Sequence, residues 1–272
     1  MSRIVFWDYG HDGSSEIAAA GAVCMALAYP ERILLFNEDH AGAGVESGFS
    51  FHEHACGGNI QPLTEYGMDA LRRLAANQRL TSRNFSDYTY PLIKDKLDLV
   101  SGFGLQEKQE QFESEKMPRP LYDVAEQVYD MIFTRSIYPS DCTDRPIRVA
   151  VLRQNRLELE RFFDEFSNGD QASPLADAIV LQRYDPASHW SAVNIRRRFE
   201  CKIFLYPVPH STEFMDAWNN RNILKFFRLH RLMSNKGSQK QGMLPSLMSL
   251  SEGLHELAAG RTGTARNGKR GA

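Results

Sequence analysis

The sequence predicts an α/β fold, with a mostly parallel sheet of about seven strands and helices on both faces. Short aliphatic and β-branched runs alternate with longer segments of helical periodicity. Most of these runs are apolar at successive positions, as expected for strands whose sheet is covered on both faces. Strand and helix in regular alternation are typical of a parallel sheet.

The runs predicted as strands are, in chain order, 4–7, 33–36, 97–100, 131–133, 148–152, 178–181 and 203–206. Helical patterns separate them at 15–27, 65–76, 121–129, 157–166 and 188–199.

Three further segments complete the predicted organisation. The Gly-rich segment 40–63 is predicted as a loop near the ends of the first strands, and leucines at helical intervals over 244–257 predict an amphipathic helix. One domain is expected over 1–258. A disordered basic tail is expected over 259–272, because cations lie there among Gly, Thr and Asn without apolar periodicity.

Composition limits the function classes. With 272 residues and 42% hydrophobic content the chain has material for a sizeable core, and a net charge of -2 gives no general argument for nucleic acid or an anionic membrane. No apolar stretch approaches the roughly 20 residues of a membrane span, so membrane contact is expected to be at most peripheral. Four cysteines without a CxxC pair suit reduced thiols and predict a cytoplasmic protein.

The loop after the first predicted strand has the position and glycine content of a phosphate-binding loop. Ligands of α/β sheets bind at the carboxyl ends of strands, and this loop leads directly into an Ala-rich helical segment. Glycines let successive amides turn towards a phosphate, and a helix N-terminus adds partial positive charge. The candidate nucleotide-binding residues of the loop are Gly10, His11, Asp12, Gly13, Ser14 and Ser15.

The chemistry of this loop differs from that of a working one. A phosphate loop carries Gly-Lys-Ser/Thr, in which the lysine reaches the β and γ phosphates and the hydroxyl binds magnesium. Ser14 stands at the lysine position, Ser15 keeps the hydroxyl, and Asp12 adds negative charge that disfavours a triphosphate. Two interpretations stay open: a weak nucleotide site, or a turn in which Gly10 and Gly13 only connect strand to helix.

The order and spacing of several segments add a family resemblance over roughly residues 3–235. The segments are 4–7 leading into the loop, 32–36, 67–74, 80–81, 87–89, 151–155, 159–163, 183–186, 206–209, 214–217 and 224–227. Together they resemble the deviant-Walker ParA/MinD superfamily of P-loop NTPases, and most closely its TadZ- and CpaE-type members of pilus-assembly systems. The resemblance implies the P-loop NTPase architecture, ATP and Mg²⁺ as weakly bound cofactors, and a homodimer formed face to face across the nucleotide loops.

The resemblance also implies roles for single residues. The superfamily loop reads Lys-Gly-Gly-x-Gly-Lys-Thr-Thr, so its lysines match Tyr9 and Ser14, and Ser15 is the implied magnesium ligand. The aspartate after the second strand, which orients the attacking water, is matched by Glu38 or Asp39, and the aspartate that ends the fourth strand is replaced by Arg135. Without the lysines, phosphoryl transfer loses electrostatic stabilisation, so no catalytic residue is assigned and efficient hydrolysis is not expected. Arg135 stays open as a replacement cation.

The adenine pocket of the superfamily would lie near 183–184 and 207–209, which makes Arg183 and Pro207 the remaining nucleotide-binding candidates. The alternative is that these residues only shape the strand ends.

Two other polar clusters have simpler explanations. His52, His54 and Cys56 would share one face of an extended segment and could hold zinc, but loop polarity explains them because no second ligand cluster lies nearby. The cations of Arg196–Arg198 favour the C-terminus of the predicted helix, so specific nucleic-acid binding is not expected.

These observations predict a degenerate ParA/MinD-like protein that positions or regulates a larger bacterial machine, of the pilus, secretion or partition type, through contacts with protein partners. The alternative is a slow ATP-dependent dimerisation switch, in which Arg135 or a lysine of the opposite subunit replaces the missing lysine. An unrelated doubly wound enzyme also stays open, because fold alone does not fix function.

Overall fold

The computed structural model describes residues 2–10, 13–38, 44–50, 66–102, 119–136, 146–168, 175–234 and 242–268. Its strands are β1 (Ser2–Asp8), β2 (Ile33–Asn37), β3 (Tyr90–Ile93), β4 (Leu97–Val100), β5 (Met131–Ser136), β6 (Ile147–Arg153), β7 (Ala178–Tyr184) and β8 (Phe204–Pro209). Its helices are α1 (Ser14–Ala28), α2 (Met68–Ala76), α3 (Arg119–Ala125), α4 (Arg156–Asn168), α5 (Ala192–Arg198), α6 (Thr212–Asn219), α7 (Ile223–Ser234) and α8 (Met243–Gly268), with short 3₁₀ turns at Val45–Gly48 and Phe85–Tyr88.

The strands form one eight-stranded sheet in the order β3-β4-β2-β5-β1-β6-β7-β8. Neighbouring strands are parallel except β3 and β4, which pair antiparallel. The predicted α/β class with a mostly parallel sheet is therefore confirmed, and β1 lies between β5 and β6 near the middle of the sheet.

Strand β3 is an addition to the predicted set. Its residues are half-buried or exposed, whereas every residue of β4 beside it is buried. It also contains Pro91, which lacks a backbone N–H and is tolerated in strands at a sheet edge. A short edge strand of this kind lacks the continuous apolar run that marks the central strands.

The helices differ from the sequence-based expectations mainly at their ends. The patterns over 65–76 and 188–199 correspond to the shorter helices α2 and α5, and the pattern over 121–129 to a helix that ends at Ala125. Helices α6 and α7 were not among the predicted helices. The pattern over 244–257 lies within α8, and this helix continues to Gly268, into the segment for which the sequence predicts disorder.

Helix α1 is the central helix of the largest core cluster. Its residues from Ile17 to Ala26 are all buried, because a helix that is apolar on all sides needs cover on all sides. Small residues allow the close approach: a Cβ added at Gly21 would lie 3.6 Å from the Phe133 ring and 3.7 Å from the Phe6 ring. On its other side lies α8, whose Leu247, Leu250 and Leu254 are fully buried. The N-terminus of α1 is thereby fixed at the carboxyl edge of the sheet.

Within the described part of the chain, no helix combines the length and the apolar character that crossing a bilayer requires. Cys24 and Cys201 are free thiols.

Candidate functional site

The turn between β1 and α1 has the strand–turn–helix geometry that the sequence predicts. Gly10 has φ +78°, in the left-handed region that favours glycine, and Gly13 directly precedes the first residue of α1. His11 and Asp12 lie outside the described residues, so their predicted part in nucleotide binding stays a prediction.

The Asp8 carboxylate binds the N-terminus of α1. The Ser14 amide donates to Asp8 Oδ1 at 2.7 Å, and the Ser14 hydroxyl donates to Oδ2 at 2.6 Å. The first amides of a helix have no acceptor within the helix, and they carry the positive end of its dipole. An anion is therefore favoured at this position, and in this structure the anion is the side chain at the end of β1.

Arg135 brings a cation to the same group from the neighbouring strand. Its Nη2 lies 3.4 Å from Asp8 Oδ2, and its Nε lies 3.4 Å from the Ser14 hydroxyl. The side chains of Arg135 and Asp8 are 8% and 10% exposed, so this ion pair is buried. Arg135, the candidate replacement cation, therefore lies at the loop, but its guanidinium pairs with the Asp8 carboxylate.

On the opposite side of the turn, Gln182 packs directly against Gly13. A Cβ added at Gly13 would lie 1.9 Å from Gln182 Oε1, so only glycine fits while Gln182 keeps this position. Gln182 Nε2 donates to Glu16 Oε2 at 2.9 Å, whereas the buried Oε1 accepts no hydrogen bond from the described residues. The shape of the turn thus depends on β7 as well as on β1.

Two further carboxylates lie beside the turn. Burial raises the pKa of Glu16, and the Arg183 guanidinium, the hydrogen bond from Gln182 and the charge of Arg153 oppose that rise. Glu158 accepts from the Arg153 amide at 2.7 Å, and its Cγ lies 3.6 Å from the Cβ position of Gly10. Acidic side chains therefore lie around the turn, and the positive charges of Arg153 and Arg183 offset part of the negative charge of Glu16.

Arg183 lines a small cavity between α1 and the last two strands, together with Val208 and Pro209. The volume of this cavity is about 20 Å³, enough for about one water molecule, whereas ligand pockets are typically about 300–1,000 Å³. Pro207 does not line it, because it lies inside β8 opposite Leu181. An adenine ring would need a rearrangement of these side chains to enter.

Tyr9, which the resemblance matches to a signature lysine, makes its contacts within this chain, with residues of α4. The Tyr9 hydroxyl donates to Glu165 Oε1 at 2.7 Å, and its ring lies 5.3 Å from that of Phe162 on α4. Burial and the Glu165 carboxylate raise the pKa of Tyr9 well above its usual value. A neutral phenol in this contact does not supply the charge of a lysine.

The resemblance implies Glu38 or Asp39 as the residue that orients the attacking water, and Ser15 as the magnesium ligand. Glu38 accepts a hydrogen bond from the Tyr122 hydroxyl, which ties this carboxylate to α3, and Asp39 lies outside the described residues. Ser15 is half-buried beside the turn. Within the described ranges no group of three or more His, Cys, Asp or Glu side chains could hold a metal ion. His52, His54 and Cys56 lie outside those ranges.

Two of the three arginines at the end of α5 have structural contacts. Arg198 Nη2 donates to Glu160 Oε1 at 2.9 Å, and its guanidinium lies 5.1 Å from the centre of the Trp190 ring. Arg196 Nη2 donates to the Leu205 carbonyl at 3.3 Å. All three arginines lie in the last turn of α5, as the sequence predicts, and these two also contact neighbouring parts of the chain.

A second cavity lies at the far end of α1. It has a volume of about 640 Å³ and is lined mainly by apolar side chains, among them Tyr29, Phe227 and Met248, with Glu252 as its charged member. The rise of about 1.5 Å per residue puts this end of the 15-residue helix about 20 Å from the turn between β1 and α1. The cavity is therefore separate from the crevice at the carboxyl ends of the strands, where ligands of open α/β sheets bind.

Sequence reasoning missed the side chains that define this site. The sequence could have indicated Asp8, because a charged residue ends an apolar run directly before the loop. It could not have indicated Gln182 or Glu158, since they reach the turn from β7 and α4.

No protein-family model matches the chain, and no curated protein matches it either. Solved structures do. The chain superposes on a ParA family ATPase from Chlorobium tepidum with a TM-score of 0.64 and 15% identity, over 92% of this chain and 97% of that one. It superposes on the septum site-determining protein MinD from Pyrococcus horikoshii, complexed with Mg-ADP, with a TM-score of 0.58 and 15% identity, over 95% and 98%.

For a MinC:MinD cell division complex from Aquifex aeolicus the TM-score is 0.57 and the identity 12%, over 92% and 96%. At these identities the likeness shows the fold, which is the ParA/MinD architecture of P-loop NTPases.

Proposed function

We propose that this chain is a degenerate ParA/MinD-like protein that positions or regulates a larger bacterial assembly, with weak or no ATP hydrolysis. It keeps the fold as a scaffold for protein contacts. We propose a role like that of the TadZ- and CpaE-type pilus-assembly proteins, which the order and spacing of its sequence segments resemble.

One observation supports this proposal above the others: the Asp8 carboxylate binds both the amide and the hydroxyl of Ser14. In a working loop the side chain at this position is a lysine that binds phosphates. Here the position holds a neutral side chain that donates to an acid, with Glu16 nearby on the same helix. The small cavity beside Arg183 adds no room for a base. The residues present therefore do not fit Mg²⁺-ATP, and we derive no hydrolytic step.

Protein partners are the part of the proposal that the neighbours support. One structural neighbour is solved in complex with a second cell-division protein, MinC, so this architecture is able to present a surface to a partner. We propose that the present chain acts as a homodimer and through such partners. The internal contacts of Arg196 and Arg198 support the expectation that nucleic acid is not its specific ligand.

The test is ATP turnover by the purified chain beside its Ser15→Ala variant. Ser15 is the implied magnesium ligand, and the change removes only its hydroxyl. We expect both proteins to release phosphate at the same background rate in Mg²⁺-ATP, and both to keep the same mass in solution with and without nucleotide. Turnover above background that Ser15→Ala abolishes would contradict the scaffold.

A slow dimerisation switch is the second candidate, and the position of Arg135 favours it. The guanidinium lies 3.4 Å from the Ser14 hydroxyl, close enough to meet a phosphate if Asp8 moved away. The switch requires that ATP changes the mass of the chain in solution and that Arg135→Met abolishes this change. The scaffold requires that ATP leaves the mass unchanged.

A further inference from the structure

We infer that the cavity between α1, α7 and α8 is a binding site for a small apolar molecule that carries a positive charge, of the class of hydrophobic amines. The cavity has a volume of about 640 Å³, and small-molecule sites typically have about 300–1,000 Å³. The inference goes beyond the proposed function, because this cavity lies at the far end of α1 from the turn between β1 and α1.

The walls of the cavity are mainly apolar. Cys24 and Phe227 are buried, Leu27 and Leu244 are half-buried, and Met248 is exposed. Burial raises the pKa of the Cys24 thiol to about 12, so this group stays neutral and acts as a small apolar side chain. An apolar ligand that enters this cavity removes its own surface and that of the walls from water, which favours binding.

The charge at the cavity is negative. Glu252 is the charged residue of the lining, and neither Glu252 nor Glu256, one turn further along α8, pairs with a cation of the described part of the chain. Burial first, and then the charges of Glu252, Glu256 and Glu31, raise the pKa of Tyr29, which lines the cavity. Glu31 lies 3.0 Å from the His255 ring, so the two carboxylates of α8 are the ones left to attract a cation.

An occupant that fits both features has an apolar body and a cationic group. An ammonium group beside Glu252 forms a charge-assisted contact, whereas the carboxylate of an equally apolar acid would place like charges together. The segment 235–241, which joins α7 to α8 in the sequence, contains two lysines and no apolar side chain. It can therefore supply a charge but not the apolar body.

The experiment is a calorimetric titration of the full chain at low ionic strength with octylammonium, octanol and octanoate. These three molecules share one alkyl chain and differ in the charge of the head group. The variants are Glu252→Gln, which removes the charge of the lining at an exposed position, and Ala28→Trp, which puts an indole into the cavity from the exposed last residue of α1. Asp164→Asn is the matched control, because Asp164 is exposed on α4, a helix that packs on the opposite face of the sheet.

We expect octylammonium to bind about five-fold more tightly than octanol, and octanoate about five-fold more weakly, because that is the effect of two unit charges about 4 Å apart when they are screened as in bulk water. Glu252→Gln should bring the three affinities together, Asp164→Asn should keep their order, and Ala28→Trp should abolish saturable binding. Equal affinities in the wild type, or a preference that Glu252→Gln leaves unchanged, would overturn the inference. Absence of saturable binding by the folded wild type would also overturn it and would leave the proposed function intact.

A second measurement locates the ligand in the wild-type chain. The methyl resonance of Met248, assigned with Met248→Leu, should shift saturably as octylammonium is added. The methyl resonance of Met68, which is buried in a different core cluster, should keep its position. Equal shifts of both resonances would indicate adsorption over the whole molecule and would overturn the assignment of this cavity.

Discussion

Replacing Arg135 by methionine tests the energetics of the buried ion pair at the loop. The change leaves the Asp8 carboxylate at 10% exposure without the guanidinium that lies 3.4 Å away. Removal of one partner from a buried pair typically costs about 3–5 kcal/mol, because the other charge stays buried. The two hydrogen bonds from Ser14 still satisfy Asp8, so we expect the lower end, about 3 kcal/mol.

The assay is urea unfolding followed by tryptophan fluorescence, with the slope of the transition compared between variants. Arg156→Met is the matched control, because Arg156 pairs with Glu160 at 3.0 Å but is 66% exposed; exposed pairs contribute about 0–1 kcal/mol. A loss below about 1 kcal/mol for Arg135→Met, equal to the control, would show that the Asp8 charge is solvated, and the reasoning about the loop would be refuted.

Two helix glycines and one carboxylate give further expectations. Gly21→Ala should raise the free energy of unfolding by about 0.5–1 kcal/mol, since helical Ala is favoured and the new methyl meets only ordinary contacts. Gly253→Ala should lower it by about 1–3 kcal/mol, because the methyl would lie 1.7 Å from the Tyr206 hydroxyl; equal effects in urea melts would contradict the packing of α1 and α8. Burial raises the pKa of Glu16 in the folded chain. Protonated Glu16 therefore stabilises the fold below the ordinary carboxyl pKa, and this contribution is lost as the pH rises through the raised pKa. Glu16→Gln should therefore be more stable than the wild type at neutral pH, with the difference vanishing in acid, and a constant difference across pH would contradict the burial of Glu16.

The sequence was a good guide to the fold where structure is local. Apolar runs mark the central strands because both faces of the sheet are covered, and the Ala-rich stretch marks α1 because it must approach the Phe6 and Phe133 rings closely. Strand β3 was not predicted, because a half-exposed edge strand lacks a continuous apolar run. Helix α7 was readable in principle, since Ile223, Phe226 and Phe227 recur at helical spacing and are buried.

The site was less accessible to sequence reasoning because its contacts are long-range. The glycine turn and the missing lysine are local features, and both could be read. The pairing of Asp8 with Arg135 joins residues 127 positions apart, and the bond from Gln182 to Glu16 joins residues 166 positions apart. Neither residue type nor spacing identifies such partners, so the acid bound at the N-terminus of α1 emerged only from the structure.

Calorimetric titration of the wild-type chain with Mg²⁺-ATP tests the central claim most directly. A Gly13→Asp variant is the control, because any side chain at position 13 meets Gln182 and the new carboxylate closes the turn. We expect no saturable heat at millimolar ATP in either protein, because Asp8 already binds the Ser14 amide. Micromolar binding by the wild type that Gly13→Asp abolishes would show that the turn holds phosphate, and would contradict the scaffold account.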